Sequence, residues 1–224
     1  MLKTYPSWIE DGSPIPDPFG YGERAVNFLK HLRHPKSKAR GRAFQLDPWA
    51  ERIIRRVYGP RHEDGTRIVK TVFLMVPRGN RKTSIGAALT LLHTIGPERE
   101  PGGQIVCAAA DQKQARIAFE EAAGIIRQDK RLEKIAEIAD YRNRIRNVTN
   151  DAWLEAISAD GATQHGRTPA FVLVDELHAH KKRDLWEALK TGLVKTPGSL
   201  CFIITTAGRF SASRASWRRP ARSG

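Results

Sequence analysis

The sequence predicts an α/β protein in which a parallel sheet carries helices on both faces. Short apolar runs, which are typical of buried strands, alternate with longer segments in which apolar residues have helical spacing. Strands that are separated by helices form βαβ units, and such units build parallel sheets. Polar motifs begin at Lys82, Asp175 and Thr205, each just after an apolar run. Because ligands bind at the carboxyl ends of the strands in such sheets, we expect the three motifs on one edge.

The first half of the chain supplies four predicted helices and two strands. Ala25, Leu29 and Leu32 recur at helical spacing, and Asp47 can cap a second helix that has Pro48 in its first turn. The predicted elements are helices over 21–32, 50–58, 84–92 and 111–128 and strands over 68–76 and 105–110.

The second half contains the remaining strands. A strongly charged segment predicts another helix over 130–141, and a polar loop over 158–169 precedes the most apolar strand. The other predicted elements are strands over 145–148, 153–157, 171–174 and 200–204 and a helix over 184–193. We divide the chain into an N-terminal arm and helix over 1–43, a main domain over 44–208, and a tail over 209–224. The tail has five arginines and no acid, so we expect it to be disordered.

The composition indicates a polyanionic partner and a reducing compartment. The 224 residues carry a net charge of +14, for which nucleic acid is the default partner. Cys107 and Cys201 lie in apolar runs and are interpreted as reduced core thiols, which favours a cytosolic setting. No apolar run approaches the roughly 20 residues that span a bilayer. The alternating basic residues over 34–42 are interpreted as a solvated loop unless DNA contacts them.

The segment over 71–84 has the order of a phosphate-binding loop. An apolar strand ends in a short loop, and Lys82-Thr83 then opens an apolar helix. Backbone N–H groups at a helix start attract phosphate, a lysine reaches the outer phosphates, and a threonine hydroxyl binds Mg²⁺. The usual glycine directly before the lysine is absent. A basic surface turn is therefore the alternative interpretation for this loop taken alone.

A second motif makes the phosphate-binding interpretation stronger. The apolar strand over 171–174 ends in Asp175-Glu176, and adjacent carboxylates at the end of a buried strand are costly unless a cation meets them. In nucleotide hydrolases the first acid holds Mg²⁺, while the second positions and deprotonates the attacking water.

These motifs, taken in order, resemble the N-terminal ATPase domain of phage terminase large subunits, the motors that pack DNA into proheads. The resemblance covers roughly residues 15–217. The segments that carry it are 44–49, 76–83, 107–110 with 114–115, 158–160, 171–178 and 205–208.

The resemblance implies a RecA-like P-loop NTPase fold that binds ATP and Mg²⁺. Lys82 would contact the β- and γ-phosphates, and Thr83 would hold Mg²⁺ together with Asp175. Glu176 would be the catalytic carboxylate, and Arg78 a candidate arginine finger that stabilises charge on the transferring phosphoryl group. The other residues of the nucleotide-binding loop would be Pro77, Gly79, Asn80, Arg81 and Ser84.

Two further motifs gain roles from the resemblance. Thr205 and Thr206 would sense the γ-phosphate and couple its loss to the grip on DNA, from a strand between the loop strand and the carboxylate strand. Phe44 and Trp49 would lie on the adenine side, although from the residues alone they could equally belong to the core.

The chain also departs from the family pattern. Arg81 stands where the family usually has glycine, a residue that permits positive φ, so we expect a strained loop. Ala50 stands where a glutamine often reads adenine.

The resemblance further implies partners and a location. Double-stranded DNA, a portal protein, a small terminase subunit and a homo-oligomeric ring would be the partners, in the cytoplasm of an infected bacterial host and without a membrane. Residues after Gly208 carry no cluster of metal-binding acids. We therefore expect no endonuclease activity from this chain, and we expect an exposed sheet edge.

Two alternatives remain open at this stage. Asp175-Glu176-Leu177-His178 fits the DExH box of a helicase, although such enzymes need a second RecA-like domain. A basic DNA-binding module without ATP turnover would also fit the net charge and the altered loop.

Overall fold

A seven-stranded sheet forms the centre of the protein in this computed structural model, which describes residues 12–36, 39–77, 79–158, 167–176 and 184–206. The helices are α1 Tyr21–His31, α2 Pro48–Tyr58, α3 Lys82–Thr94, α4 Gln112–Ile126, α5 Lys130–Glu133 and α6 Asp184–Val194. The strands are β1 Thr71–Met75, β2 Gln104–Ala109, β3 Ala136–Ala139, β4 Arg144–Asn147, β5 Trp153–Ser158, β6 Pro169–Asp175 and β7 Leu200–Thr205.

The strand order places β7 between β1 and β6. The sheet runs β1-β7-β6-β2-β5-β4-β3, with the first five strands parallel. Met75 pairs with Thr205, and Asp175 pairs with Ile204. The ends of the loop strand, the threonine strand and the carboxylate strand therefore meet at one edge of the sheet, as the sequence predicts.

The parallel sheet that the sequence predicts is present, and two antiparallel strands extend it at one side. β4 pairs antiparallel with β5, and β3 pairs antiparallel with β4. The connections there are short turns, through Asp140–Arg142 and through residues 148–152, and short turns can only join antiparallel neighbours. The sheet is therefore mixed, with a parallel part that carries the motifs.

The predicted helix over 130–141 is wrong. Lys130–Glu133 is the only α-helical part of it, Ala136–Ala139 forms β3, and a 3-10 turn follows at Asp140–Arg142. Ile138 packs against the main apolar cluster, and Glu137 lies opposite Arg146 in the ladder, with an ion pair of 3.6 Å. Tertiary pairing with β4 therefore overrides the local helical preference.

Helices cover both faces of the sheet, as predicted. Alternate residues of the central strands point to opposite faces: Leu173 and Ile204 join the large apolar cluster beneath α1 to α4, whereas Val174 and Ile203 pack beneath α6. Since α1 and α2 share the large cluster with the sheet, residues 21–58 are part of the scaffold that positions the loop after β1. No helix in the described part of the chain is long and apolar enough to cross a membrane.

β1 is the edge strand of the described sheet. It pairs with β7 on one side, and Phe73 and Met75 are 56% and 45% exposed. Among the described strands, the strand that precedes the loop therefore has a neighbour on one side only, which agrees with the exposed sheet edge that we expect.

The two cysteines lie inside the sheet. Cys107 is in β2 and Cys201 is in β7, and both thiols are free and buried. Burial raises the pKa of Cys201 to about 12. Burial, together with the charge of Asp175, raises the pKa of Cys107. Both thiols are protonated at neutral pH, in agreement with the interpretation of core cysteines.

A buried ion cluster joins the entry of β1 to the end of α3. Glu98 accepts hydrogen bonds from Arg67 Nη2 at 2.5 Å and from Arg61 Nη2 at 2.8 Å, and all three side chains are at most 7% exposed. Beside it, Tyr58 Oη and His93 Nε2 lie 3.0 Å apart. The cluster therefore fixes the start of β1 relative to the end of α3, the two ends that lie away from the loop.

Removing the central carboxylate should destabilise the protein strongly. Glu98→Ala leaves two buried guanidinium groups without their shared partner, so we expect the free energy of unfolding to fall by about 3–5 kcal/mol. Urea unfolding followed by circular dichroism measures the loss. Glu120→Ala, which removes an exposed ion pair with Arg116, serves as the control and should cost at most about 1 kcal/mol. Equal losses in the two variants would contradict this interpretation.

Stability should also depend on pH through His93. Burial, with the positive charges of Arg67 and Arg61, holds the pKa of His93 well below its usual value, and its ring stacks on Phe171. The unfolded chain takes up a proton at His93 near pH 6.5, whereas the folded chain keeps the ring neutral. The contribution of His93 to the free energy of unfolding is therefore fully present above that pH. It is lost at up to about 1.4 kcal/mol per pH unit as the pH falls. Urea unfolding between pH 7.5 and 5 should show a smaller loss for His93→Gln, and an equally steep loss would count against the assignment.

Candidate active site

A cavity of about 480 Å³ lies where the parallel strands end. The loop after β1, the start of α3, the residue after β6, α4 and the segment after α1 all contribute to its walls. The residues that line it are Lys36, Gly79, Arg81, Lys82, Thr83, Ser84, Ile117, Glu121 and Glu176. The predicted loop and the predicted carboxylate therefore face one common space.

The loop after β1 is held to the neighbouring strand and leads into α3 at the cavity. Val76 N donates to Thr205 O at 3.1 Å, and Asn80 Nδ2 donates to Pro77 O at 3.1 Å. α3 begins at Lys82, so its first N–H groups and the positive end of its dipole lie at the cavity wall. The positive end of this helix dipole is favourable for an anion, as the sequence predicts for this position.

Arg81 occupies a left-handed backbone conformation directly before α3. Its φ is 50° and its ψ is 32°, and Gly79 has φ 89°. A left-handed residue other than glycine costs roughly 1–2 kcal/mol. The strain expected from the missing glycine is therefore present, and it lies at the residue that the sequence singles out.

Lys82 and Glu176 form the central contact of the cavity. Lys82 Nζ donates to Glu176 Oε1 at 2.8 Å, and Thr206 Oγ1 donates to Glu176 Oε2 at 3.0 Å. The backbone N–H of Thr206 also points at this oxygen, at 3.4 Å. Three motifs that are far apart in the sequence therefore meet at one carboxylate.

The backbone fixes Glu176 at this position. Its N–H donates to Ile204 O at 2.9 Å, and its φ is 49°. Strained residues that the surrounding structure holds in place are concentrated at functional sites. The conformation turns the side chain away from the strand direction and towards Lys82.

Asp175 and Thr83 are the candidate metal ligands. Asp175 is the last residue of β6 and is partly exposed, while Thr83 lies in the first turn of α3 at the cavity wall. A carboxylate and a hydroxyl are the hard oxygen donors that Mg²⁺ prefers. The donor set fits the predicted cation.

Several predicted residues are not among those that line the cavity: Pro77, Asn80, Asp175 and Thr206, and also Phe44, Trp49 and Thr205. Phe44 is 3% exposed and its ring stacks on His34 at 4.6 Å, while Trp49 is partly buried against the main apolar cluster. The core role that the sequence left open agrees with both positions. Thr205 is buried at the end of β7. Arg78, the candidate arginine finger, lies outside the described residues.

Sequence reasoning missed Lys36 and Glu121. Glu121 is only 4% exposed. It lies on α4 among alanines that the helical pattern assigns to the core. A carboxylate on a predicted apolar face was the available signal, because such a group needs partners. Lys36 is 63% exposed, in agreement with a solvated loop, and nothing in the local sequence indicates that it also lines the cavity.

Comparison with known proteins identifies the family. The family described as terminase large subunit, ATPase domain, matches residues 48–218. The chain belongs to this family. A terminase large subunit from Enterobacteria phage HK97 is 28% identical over 188 residues, which is 83% of this chain and 36% of that protein.

Solved structures support the same family. The crystal structure of the HK97 bacteriophage large terminase has a TM-score of 0.72 at 26% identity, over 82% of this chain and 37% of that chain. The ATPase domain of the Thermus phage P74-26 large terminase has a TM-score of 0.52 at 20% identity, over 69% of this chain and 68% of that domain. The second likeness shows the fold alone. This terminase chain spans little more than a third of the length of the HK97 proteins.

The strain at Arg81 can be separated from its charge. Arg81→Gly and Arg81→Ala both remove the guanidinium, but only glycine adopts the left-handed conformation freely. We expect Arg81→Gly to be the more stable variant by about 1 kcal/mol in urea unfolding. At the exposed control position Glu120 in α4, alanine should instead be more stable than glycine by about 0.5–1 kcal/mol. The same order at both positions would refute the strain.

Proposed function

We propose that this chain binds ATP with Mg²⁺ in the cavity beside α3 and hydrolyses it, as the ATPase domain of a viral DNA-packaging motor. The observation that carries the proposal is the contact of Lys82, Glu176 and Thr206 at one wall of that cavity. Those residues come from the three motifs that a nucleotide hydrolase places around the γ-phosphate.

Binding of the triphosphate would rest on the loop and the start of α3. Lys82 Nζ and the N–H groups of the first helical turn would hold the β- and γ-phosphates. Gly79, Asn80 and Arg81 would complete the wall around them. Thr83 and Asp175 would hold Mg²⁺, which when bound neutralises charge on the phosphates.

Glu176 would act as the general base. A phosphate at Lys82 competes with Glu176 Oε1 for Nζ, so substrate binding would release one carboxylate oxygen. Thr206 would keep the other oxygen in place, and the freed oxygen could then orient a water and accept its proton. Arg78, by the family pattern, would stabilise the charge on the transferring phosphoryl group.

Coupling to DNA would run through β7. Thr206 touches the catalytic carboxylate directly, and Thr205 is paired with the end of the loop strand at Met75. A shift at the γ-phosphate would therefore be transmitted through β7 to its two neighbours, β1 and β6. The HK97 relatives are large terminases, and by likeness we propose double-stranded DNA, a portal protein and a small terminase subunit as partners of a homo-oligomeric ring in the host cytoplasm. The net charge of +14 supports the DNA partner.

Replacing the proposed base should abolish turnover and leave binding intact. We expect Glu176→Gln to lower the ATPase kcat by at least about 100-fold, the usual contribution of a general base. Its affinity for MgATP, measured with a fluorescent analogue, should be retained or increased, because Lys82 loses its charged competitor. Glu187→Gln, an exposed position on α6, is the matched control and should keep the wild-type kcat.

ATP turnover and DNA binding, measured on the wild-type chain, distinguish the enzyme from the alternative of a basic DNA-binding module. A wild-type chain that binds DNA but does not turn over ATP would favour a basic DNA-binding module and refute the enzyme proposal. Unchanged turnover in Glu176→Gln would refute the assignment of the base.

A further inference from the structure

The segment after α1 is docked against α4 at the mouth of the cavity. Its backbone is held by an antiparallel bridge between Arg33 and Ala43, and Gly41 N donates to His34 O at 2.9 Å. Pro35 lies so close to Gly124 that a Cβ on that glycine would come within 2.7 Å of Pro35 Cβ. The close approach brings the next residue of the segment over α4, one turn before Gly124.

The residue brought there is Lys36, and its partner is a buried carboxylate. Lys36 Nζ donates to Glu121 Oε2 at 2.8 Å, and Ser84 Oγ donates to Glu121 Oε1 at 2.5 Å. The Glu121 side chain is 4% exposed, whereas that of Lys36 is 63% exposed. Burial of a carboxylate is costly unless donors compensate for it. Glu121 has a donor at each oxygen, and both donors line the cavity.

The charges around the cavity favour a polyanion. Lys36, Arg81 and Lys82 contribute three cations to its walls, and Glu121 and Glu176 contribute two carboxylates. Each carboxylate is bonded to one of the lysines. The amino groups are thus held at the cavity by acids. An ammonium group has three donors, so Lys36 can bond Glu121 and an oxygen of a polyanion at the same time.

We propose that Lys36 is a nucleotide-binding residue that contacts the phosphates of a nucleoside triphosphate, and that Glu121 is the residue that positions it. The inference rests on the proposed function, since it names a further ligand-binding group for the same cavity. Glu121 also bonds Ser84, two residues after Lys82, so it fixes the start of α3 and the amino group of Lys36 relative to each other. Residues 33–36, which follow α1, are in this way part of the nucleotide site.

Equilibrium binding of a fluorescent ATP analogue with Mg²⁺ to the whole chain tests the proposal. A hydrogen bond between charged groups contributes about 1.5–3 kcal/mol when shielded and less at an exposed site. We therefore expect Lys36→Met to weaken binding about three- to tenfold. Lys36→Arg should keep most of the affinity. When adenosine is used as competitor in the same assay, the affinity for adenosine should be the same in Lys36→Met as in the wild type, because adenosine lacks phosphates.

Lys30→Met provides the matched control. Lys30 is also an exposed lysine, and it pairs with Glu51 at 2.7 Å, but it does not line the cavity. Its loss should leave nucleotide affinity unchanged. Lys30→Met should unfold at nearly the same urea concentration as the wild type, because an exposed ion pair contributes little. Lys36→Met should unfold at a lower urea concentration, because Glu121 is buried and loses one of its two donors.

Two more variants test the positioning role of Glu121. Glu121→Gln keeps an acceptor for Ser84 but loses the charge that holds Lys36. Lys82 is 10% exposed at the start of α3 and keeps its place without Glu176, whereas Lys36 is 63% exposed and is held at the cavity by Glu121, so we expect an affinity loss similar to that of Lys36→Met. The double variant should lose no more than either single variant, because both changes interrupt one interaction. Gly124→Ala pushes on Pro35 without changing any charge, and it should also weaken binding.

The outcomes separate the inference from the function on which it rests. Wild-type affinity in Lys36→Met, or an equal loss for adenosine, would overturn the role of Lys36. Additive losses in the double variant, or wild-type affinity in Gly124→Ala, would overturn the positioning by Glu121. A wild-type chain that binds no nucleotide would refute the proposed function itself, together with the inference.

Discussion

The contact between Lys82 and Glu176 depends on where β7 lies in the sheet. β7 separates the strand that precedes the loop from the strand that precedes the carboxylates, and it adds Thr206 to the second oxygen of Glu176. Glu176 N is bonded to Ile204 of the same strand. Glu176 is therefore held at its backbone by β7 and at its side chain by the residue that follows β7. A different strand order would leave the lysine and the acid without this common support.

The sequence predicts the central part of the fold well, for a physical reason. β6 and β7 are buried on both faces, so nearly every residue is apolar and the runs over 171–174 and 200–204 stand out in the sequence. β3 has only four residues and one covered face. Its charges and alanines suit a helix as well as a strand. The pairing of β3 with β4 and the packing of Ile138 decide the outcome, and neither is visible in a local pattern.

The candidate site shows the same division. Lys82, Asp175 and Glu176 can be found from the sequence because each follows a strand, and topology brings strand ends together. Lys36 and Glu121 cannot be paired in this way. Their contact depends on a turn that returns the chain over α4 and on the absence of a side chain at Gly124. Three-dimensional packing, rather than motif order, defines that wall of the cavity.

The two buried thiols give the protein an internal reporter. Cys107 and Cys201 belong to strands inside the parallel part of the sheet, on either side of β6. A disulfide reagent reacts with thiolates, and these groups are kept protonated and away from solvent. The rate at which such a reagent modifies the native chain therefore measures how often the strands around the carboxylate motif separate. Opening of the sheet centre can thus be followed through the cysteines that the chain already has.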